Sequence, residues 1–315
     1  MARRVRSLGT HAVVLASAKA PVAAVTFTGS TSHGPSLGSP ALPPPISARR
    51  GNPACQPRPG RLPVIGKPST PSTAEALTGV VALSTKLDHI HGAVVDSADG
   101  TILTATHTGV RRISPTGAVT KVGVSDDDFM GFTIPRPDRW LASGHPGPTS
   151  TSPDPLGLVE STDQGATWKS VSRRGETDFH ALAASGNTVV GFDGHTGLIR
   201  STDGGKTWAD ASATRVAGLA YSGDRLLAVT ARGLEASTDN GTTLQPIAGS
   251  PQAVLLSTAG ATVWVVDRSG GTWLSTDAGV TWQARATVTR DVAGLAAVDA
   301  ARAYAITTSE LIAVG

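Results

Sequence analysis

Residue types that usually crosslink or anchor a protein are scarce in this 315-residue chain. It has one cysteine, 4% aromatic residues and 16% charged residues, against roughly 25% charged residues in ordinary soluble domains. The single cysteine, Cys55, excludes an internal disulfide framework and any zinc or iron–sulfur site built from several cysteines. No run of about 18 apolar residues is present, so no transmembrane segment is predicted. Long stretches with a helical period are also missing, which argues against an all-α fold.

The charged residues and prolines divide the chain into two regions. Residues 1–75, the leader, carry nine basic residues, one acidic residue and 12 of the 21 prolines. This composition predicts a disordered leader. Residues 76–315, the body, carry 18 basic and 23 acidic residues. Because an acidic body lacks the basic surface that nucleic acids require, no nucleic-acid partner is expected.

The start of the leader has some features of an export signal. Arg3, Arg4 and Arg6 precede a moderately apolar stretch over residues 11–25. The alternatives are a degraded export signal, which would place the body outside the cytoplasm, and a non-native or misassigned amino terminus. Cys55 follows a polar, basic segment, which favours a free thiol over a lipid attachment site.

The body contains four copies of one eight-residue motif, Ser-Thr-Asp-x-Gly-x-Thr-Trp, with Leu244 replacing the Trp of the third copy. The copies are 40, 36 and 38 residues apart, which is the length of a four-stranded propeller blade. Their aspartates are Asp163, Asp203, Asp239 and Asp277. Each carboxylate is expected to accept hydrogen bonds from its own hairpin, while the following Gly supplies a positive φ angle and the Trp covers a seam between blades.

This motif resembles the Asp-box, or BNR repeat, of sialidase-like β-propellers, which implies an all-β ring. Six inner strands can be aligned along the body, so we predict a six-bladed β-propeller. Seven blades are the alternative if part of the leader folds. The last blade has only three strands at the carboxyl end, and we expect residues 77–83 to supply its outer strand and close the ring.

Six histidines of the body map to the face opposite the Asp-box turns. His89, His91 and His180 open inner strands, whereas the other three lie between second and third strands. Asp128 and Asp178 align with His89 at the start of inner strands. The candidate ligand-binding residues are His89, His91, His107, Asp128, His145, Asp178, His180, Asp193 and His195.

This histidine-rich face supports three alternative interpretations. In the first, His91, His107, His145 and His180 bind a divalent metal, with Asp178 as a ligand or orienting partner. In the second, these side chains only hydrogen-bond loops and water at a channel mouth. In the third, the face is catalytic. The Gly-His-Pro-Gly loop (144–147) would hold its His rigidly, and the run Asp126-Asp127-Asp128 is a further calcium candidate.

Three segments of the body resemble exported bacterial propellers labelled glycosylhydrolases. These are His-Ile-His-Gly (89–92), Gly-His-Pro-Gly (144–147) and Asp-Phe-His-Ala (178–181). A more distant resemblance is to photosystem II assembly-factor propellers, which are protein-binding scaffolds. Sialidase machinery is not recognisable, because Thr133 stands where the family's Phe-Arg-Ile-Pro motif has Arg.

Together, these resemblances imply an exported, monomeric propeller that binds a small-molecule, glycan or protein ligand on its histidine-rich face. The alternative is a sialidase-like or other glycoside hydrolase that acts at the same face, with catalytic residues unassigned.

Overall fold

The computed structural model describes residues 79–97, 99–288 and 290–315, which all belong to the second of two units of the chain, Leu62–Gly315. The predicted leader, with its export-like start and Cys55, lies outside the described residues. Within the described part, the chain forms 24 β-strands arranged as six four-stranded antiparallel sheets. No helix in this part is long and apolar enough to cross a membrane.

The first three sheets are built from consecutive strands. Blade one contains β2 (Gly92–Val95), β3 (Ile102–Thr106), β4 (Gly109–Ile113) and β5 (Val119–Lys121). Blade two contains β6 (Asp128–Arg136), β7 (Arg139–His145), β8 (Leu158–Ser161) and β9 (Lys169–Ser172). Blade three contains β10 (Ala181–Ser185), β11 (Thr188–Phe192), β12 (Leu198–Ser201) and β13 (Ala209–Asp210).

The last three sheets complete the ring. Blade four contains β14 (Val216–Ser222), β15 (Arg225–Thr230), β16 (Gly233–Ser237) and β17 (Gln245–Pro246). Blade five contains β18 (Ala253–Ala259), β19 (Thr262–Asp267), β20 (Gly271–Ser275) and β21 (Gln283–Thr287). Blade six contains β22 (Gly294–Ala297), β23 (Ala303–Ile306), β24 (Glu310–Val314) and β1 (Gly79–Ala82).

Strand β1 closes the ring. It pairs antiparallel with β24, with Gly79 opposite Ala313 and Ala82 opposite Glu310. Each inner strand contacts the inner strand of the next blade, including β22 against β2. The prediction of six blades closed by an outer strand from the start of the body is therefore confirmed. Pairing of this strand removes a sheet edge that would otherwise be free to pair with another chain.

The core lies in the seams between blades. Among the described residues, six clusters of buried apolar side chains each join two neighbouring blades. In the seam between blades one and two, for example, Leu103 packs with Phe129 and Trp140, and all three are fully buried. Burial of large side chains supplies roughly 1.5–3 kcal/mol each, so every blade depends on its neighbours for stability.

The Asp-box turns have the predicted geometry. In the first copy, Asp163 accepts hydrogen bonds from the Thr167 amide (2.9 Å), the Thr167 hydroxyl (2.6 Å) and the Ser161 hydroxyl (2.7 Å). Gly165 has the expected positive φ of 83°, and the preceding Gln164 is also left-handed at 58°. Trp168 packs on Phe129 at a ring separation of 4.7 Å and joins the seam between blades one and two. The turn is thus a self-contained structural unit.

Candidate functional site

The inner strands surround a central channel of about 420 Å³. His91 of blade one, Met130 of blade two and His180 of blade three line it. Tyr221 lines it toward the opposite face, where its hydroxyl donates to Asn240 of the third Asp-box. The other candidate histidines stand outside the channel wall.

The first group of side chains, which we call the 91–107–128 group, connects blades one and two. His91 Nε2 lies 3.2 Å from Asp128 Oδ1 and 3.3 Å from His107 Nδ1. His107 Nδ1 lies 2.8 Å from Asp128 Oδ2. One ligand atom from each residue can be chosen so that all three lie within 4.8 Å of one another. The ring of His89 stacks on that of His107 at 5.2 Å and lies 4.6 Å from that of His91.

Local structure brings these three residues together. His91 immediately precedes β2, and its amide bonds to the Ala105 carbonyl of the adjacent strand. His107 occupies the tight turn between β3 and β4, which Gly109 permits with a φ of 94°. Asp128 is the first residue of β6 in the next blade. The site is therefore formed by the packing of two sheets, not by one local motif.

Charge and burial make this group suited to a cation. Burial lowers the pKa of His91 to about 4 in spite of the neighbouring Asp128, so its imidazole is neutral at pH 7. Asp128 Oδ1 is buried, and although His91 Nε2 lies 3.2 Å away, no described residue donates a hydrogen bond to it. A buried carboxylate oxygen without a donor is costly and requires an explanation.

The second group, the 145–178–180 group, connects blades two and three. His145 Nε2 and His180 Nε2 lie 3.2 Å and 2.9 Å from the same atom, Asp178 Oδ2. The other ring nitrogen of His145 bonds to Asp154 at 2.7 Å. Asp178 is 14% exposed, and its Oδ1 is buried with no hydrogen-bond partner among the described residues. The four candidate metal-binding histidines are therefore divided between two groups.

The pKa values of two members of this second group, His145 and Asp178, are both raised. The hydrogen bond to Asp154 raises the pKa of His145, and the charge of Asp178 adds to the effect. Burial raises the pKa of Asp178, although both histidines oppose this shift. Asp154 was not among the residues predicted from sequence. It lies in a long loop between β7 and β8, and its contact with His145 depends on how that loop folds back.

The loop that carries His145 is fixed by the acidic run before β6. The Gly147 amide donates to Asp127 at 2.8 Å, and the Thr149 hydroxyl donates to Asp126 at 2.8 Å. A Cβ atom at Gly144 would overlap the Asp128 carbonyl, so this position requires glycine. The first two aspartates of the run thus hold a loop, while the third faces His91 and His107.

The remaining two candidates lie together in the turn after β11. Asp193 accepts bonds from the amides of His195 (2.9 Å) and Thr196 (2.8 Å) and from the Thr196 hydroxyl. Burial opposes ionisation of Asp193, but these bonds outweigh it and lower its pKa to about 2. None of the described residues bonds to the ring of His195, which is exposed. Asp193 therefore stabilises its own turn.

Sialidases use a tyrosine nucleophile paired with a glutamate, and three residues of these types in this chain are engaged differently. Burial raises the pKa of Tyr221 to about 12, which disfavours the phenolate needed for a nucleophile. Glu160 pairs with Arg139 at 2.9 Å, and Glu235 pairs with Arg232 at 2.7 Å.

Comparisons with known proteins agree with the fold. The model of the family described as BNR/Asp-box repeat matches residues 199–210, which contain the second Asp-box. No curated protein sequence matches the chain. The chain is a six-bladed β-propeller with Asp-box repeats.

Solved structures that are similar to the chain share the propeller fold. A gluconolactonase from Xanthomonas campestris matches with a TM-score of 0.55 and 12% identity over 74% of this chain and 88% of that one. The surface component PorZ of the Porphyromonas gingivalis type-IX secretion system matches with a TM-score of 0.51 and 15% identity over 72% of this chain. The extracellular domain of BT4673 from B. thetaiotaomicron matches with a TM-score of 0.50 and 10% identity over 75% of this chain.

The chain spans only 31% of the PorZ chain and 39% of the BT4673 domain. At these identities, the likeness concerns the fold alone.

Proposed function

We propose that this propeller binds a divalent transition-metal ion through His91, His107 and Asp128, and that the ion holds a ligand at the mouth of the channel. The observation that carries this proposal is the mutual approach of the three ligand atoms. In a tetrahedral site with metal–ligand bonds of about 2.0–2.2 Å, neighbouring ligand atoms lie roughly 3.3–3.5 Å apart. His91 Nε2 and His107 Nδ1 lie 3.3 Å apart, which matches that separation, and they approach different oxygens of Asp128 at 3.2 Å and 2.8 Å.

The chemistry of the ligand set favours a transition metal. Two imidazoles and one carboxylate suit zinc and its neighbours, whereas calcium and magnesium prefer oxygen ligands alone. Asp128 Oδ1 contacts His91 Nε2 at 3.2 Å but accepts no hydrogen bond from the described residues, which supports a cation over a group satisfied by its own protons. In the competing arrangement, both imidazoles simply donate to the carboxylate, and no metal binds.

Three protein ligands leave coordination positions open for a ligand. Since His91 also lines the channel, an ion there would face the channel mouth. A small molecule or a glycan end that offers oxygen atoms fits this position, and a protein partner remains the alternative occupant.

We place the protein outside the cytoplasm as a monomer, with residues 76–315 as one domain. The export-like leader and the extracellular and surface-located neighbours support the location.

A hydrolase that acts at the same face is the second candidate. It is favoured by the number of protein ligands in the 91–107–128 group, since three ligands would leave a metal ion an open position such as the one that holds water in catalytic zinc sites. Turnover of a panel of glycosides, abolished together with metal binding, would distinguish this enzyme from a binding protein.

The proposal is tested by titrating the full-length protein with Zn²⁺ in a calorimeter and by thermal unfolding with and without Zn²⁺. Zinc at 100 times its Kd should stabilise the fold by about 2.7 kcal/mol, which raises the Tm by roughly 5–10 °C in a domain of this size.

The substitution His107→Gln should weaken binding at this site by about 100-fold or more. His195→Gln, which alters an exposed histidine outside the group, is the matched control and should bind zinc as the wild type does. Unchanged binding in His107→Gln would refute the proposed site.

A further inference from the structure

A second cleft lies on the Asp-box face, away from the histidines. It has a volume of about 500 Å³ and is formed between the first two Asp-box turns, at the outer strand of blade two. This volume is within the range of roughly 300–1,000 Å³ that is typical of small-molecule sites. The polar residues that line the cleft are Glu160, Thr162, Thr167, Lys169, Ser170 and Lys206.

Three of these residues depart from the repeat. The other three Asp-box copies have Arg200, Ala236 and Leu274 in place of Glu160, Ala209, Gln245 and Gln283 in place of Lys169, and Ala166, Thr242 and Val280 in place of Lys206. Side chains that the turn requires recur in every copy, so these three are not needed to build it. Their meeting in one cleft indicates a local role.

The two lysines of the cleft have no partner for their charge. Lys169 lies directly opposite Glu160 across the β8–β9 ladder, but Glu160 pairs with Arg139 at 2.9 Å instead. Arg139 is buried and is fixed by a second bond to the Gly204 carbonyl at 2.7 Å. No described residue forms an ion pair or hydrogen bond with the ammonium group of Lys169 or Lys206. Because Arg139 neutralises Glu160, the cleft carries a net positive charge on an otherwise acidic body.

The carboxylates of the two adjacent turns are directed elsewhere. Asp163 and Asp203 each accept hydrogen bonds from the amide and the hydroxyl of a threonine in their own turn. Neither aspartate lines the cleft. The ammonium groups of Lys169 and Lys206 are therefore available to an anion from solution.

The lining favours a ligand that has both an anionic group and hydroxyls. A lysine ammonium is a compact point charge that suits a phosphate or sulfate group. The hydroxyls of Thr162 and Ser170 can exchange hydrogen bonds with hydroxyls of a ligand. None of the described residues that line the cleft is aromatic, so a neutral sugar would find no ring to stack on. Charge must therefore supply most of the affinity.

We propose that this cleft binds a sugar that carries a sulfate or phosphate ester, with Lys169 and Lys206 contacting the ester and Thr162 and Ser170 contacting the sugar hydroxyls. The site is independent of the proposed metal site, since the two lie on opposite faces of the propeller and share no residue.

The test is calorimetric titration of the metal-free, full-length protein with glucose 6-sulfate, glucose 6-phosphate, glucose, inorganic sulfate and inorganic phosphate. At least one ester should bind about 10-fold more tightly than glucose and more tightly than its own free anion. Lys169→Gln and Lys206→Gln should each weaken binding of that ester by about 10-fold, because a charged partner is lost, and Thr162→Val by about 3-fold. Lys121→Gln, which removes an exposed lysine from the outer strand of blade one, is the matched control and should bind as the wild type does.

The outcomes decide both the site and its ligand. Ester binding that is weakened in Lys169→Gln and Lys206→Gln but kept in Lys121→Gln supports the site, and the tighter ester identifies the anionic group. Equal weakening in Lys121→Gln would reveal an effect of net charge alone and would overturn the site, as would an absence of ester binding to the wild type. An ester that binds no more tightly than its free anion would overturn the sugar as ligand. Zinc binding should be unchanged in both lysine variants, so failure here is distinguishable from failure of the metal site.

Discussion

The two faces of the propeller use aspartate in opposite ways. On the Asp-box face, Asp163, Asp239 and Asp277 bond to hydroxyls and amides within four residues, and these bonds hold each pKa at about 2. On the histidine-rich face, Asp128 and Asp178 contact histidines from other strands, and one oxygen of each accepts no hydrogen bond from the described residues, although that of Asp128 lies 3.2 Å from His91 Nε2. A carboxylate that accepts hydrogen bonds from its own turn stabilises the fold. A carboxylate with an oxygen that accepts no hydrogen bond remains available for a ligand.

The largest expected effect comes from exchanging the same functional group on each face. Asp128→Asn should lower zinc affinity at its site by about 100-fold or more and change the metal-free Tm by less than about 2 °C, because the side-chain amide keeps an oxygen that can accept the hydrogen bond from His107. Asp163→Asn should lower the Tm by about 2–5 °C, because a charged acceptor of several bonds is lost, and should leave zinc affinity unchanged. Calorimetric titration and thermal unfolding of both variants measure this contrast. Equal effects of the two substitutions on zinc affinity would remove the distinction between the faces.

Two glycines test how tightly an Asp-box turn packs against the neighbouring blade. Gly205 lies in the second Asp-box with a φ of 91°, and an added Cβ would overlap Leu158. Gly205→Ala should therefore destabilise the protein by about 2–4 kcal/mol, from the left-handed backbone and overpacking together. Gly186→Ala is the control, since its φ is 57° but nothing lies within 4 Å of the new atom; it should cost only about 1 kcal/mol. Urea unfolding measures both, and equal losses would contradict the packing argument.

The smallest expected effect is a difference in acid sensitivity. Burial disfavours ionisation of Asp277, but bonds from Thr281 and Ser275 lower its pKa to about 2, below the value of about 3.9 in an unfolded chain. Its stabilising effect is therefore complete above about pH 4 and is lost as the pH falls through 2.

The stability difference between wild type and Asp277→Asn should accordingly shrink between pH 5 and pH 2. Urea unfolding at several pH values measures it, and a difference that stays constant would show that the carboxylate charge is irrelevant to the turn.

Much of the fold follows from the sequence because its signals are local and repeated. The Asp-box spacing predicts the blades, and the missing outer strand of the last blade is supplied by Gly79–Ala82 as expected. The left-handed φ of Gln164 and Ala278 was not expected, because non-glycine residues rarely adopt it. These residues sit in turns whose many hydrogen bonds impose the conformation.

The sequence predicts only part of the candidate site. Alignment of the blades places the histidines and aspartates on one face, but it does not say which aspartate meets which histidine. The separation of His91 and His107 from His145 and His180 depends on contacts between sheets. The part played by Asp154 depends on the path of a long loop, for which no periodic pattern exists.

The pairing of β1 with β24 has a consequence for synthesis. The strand that emerges from the ribosome first must wait for the strand that emerges last before their sheet can form. Blades one to five consist of consecutive strands and are free to assemble in order during translation. The sixth blade joins segments that are distant in the sequence, so the entropy cost of bringing them together arises only after the last strand is made. A permuted gene that begins at β2 and appends β1 after β24 would make this sheet continuous and remove that delay.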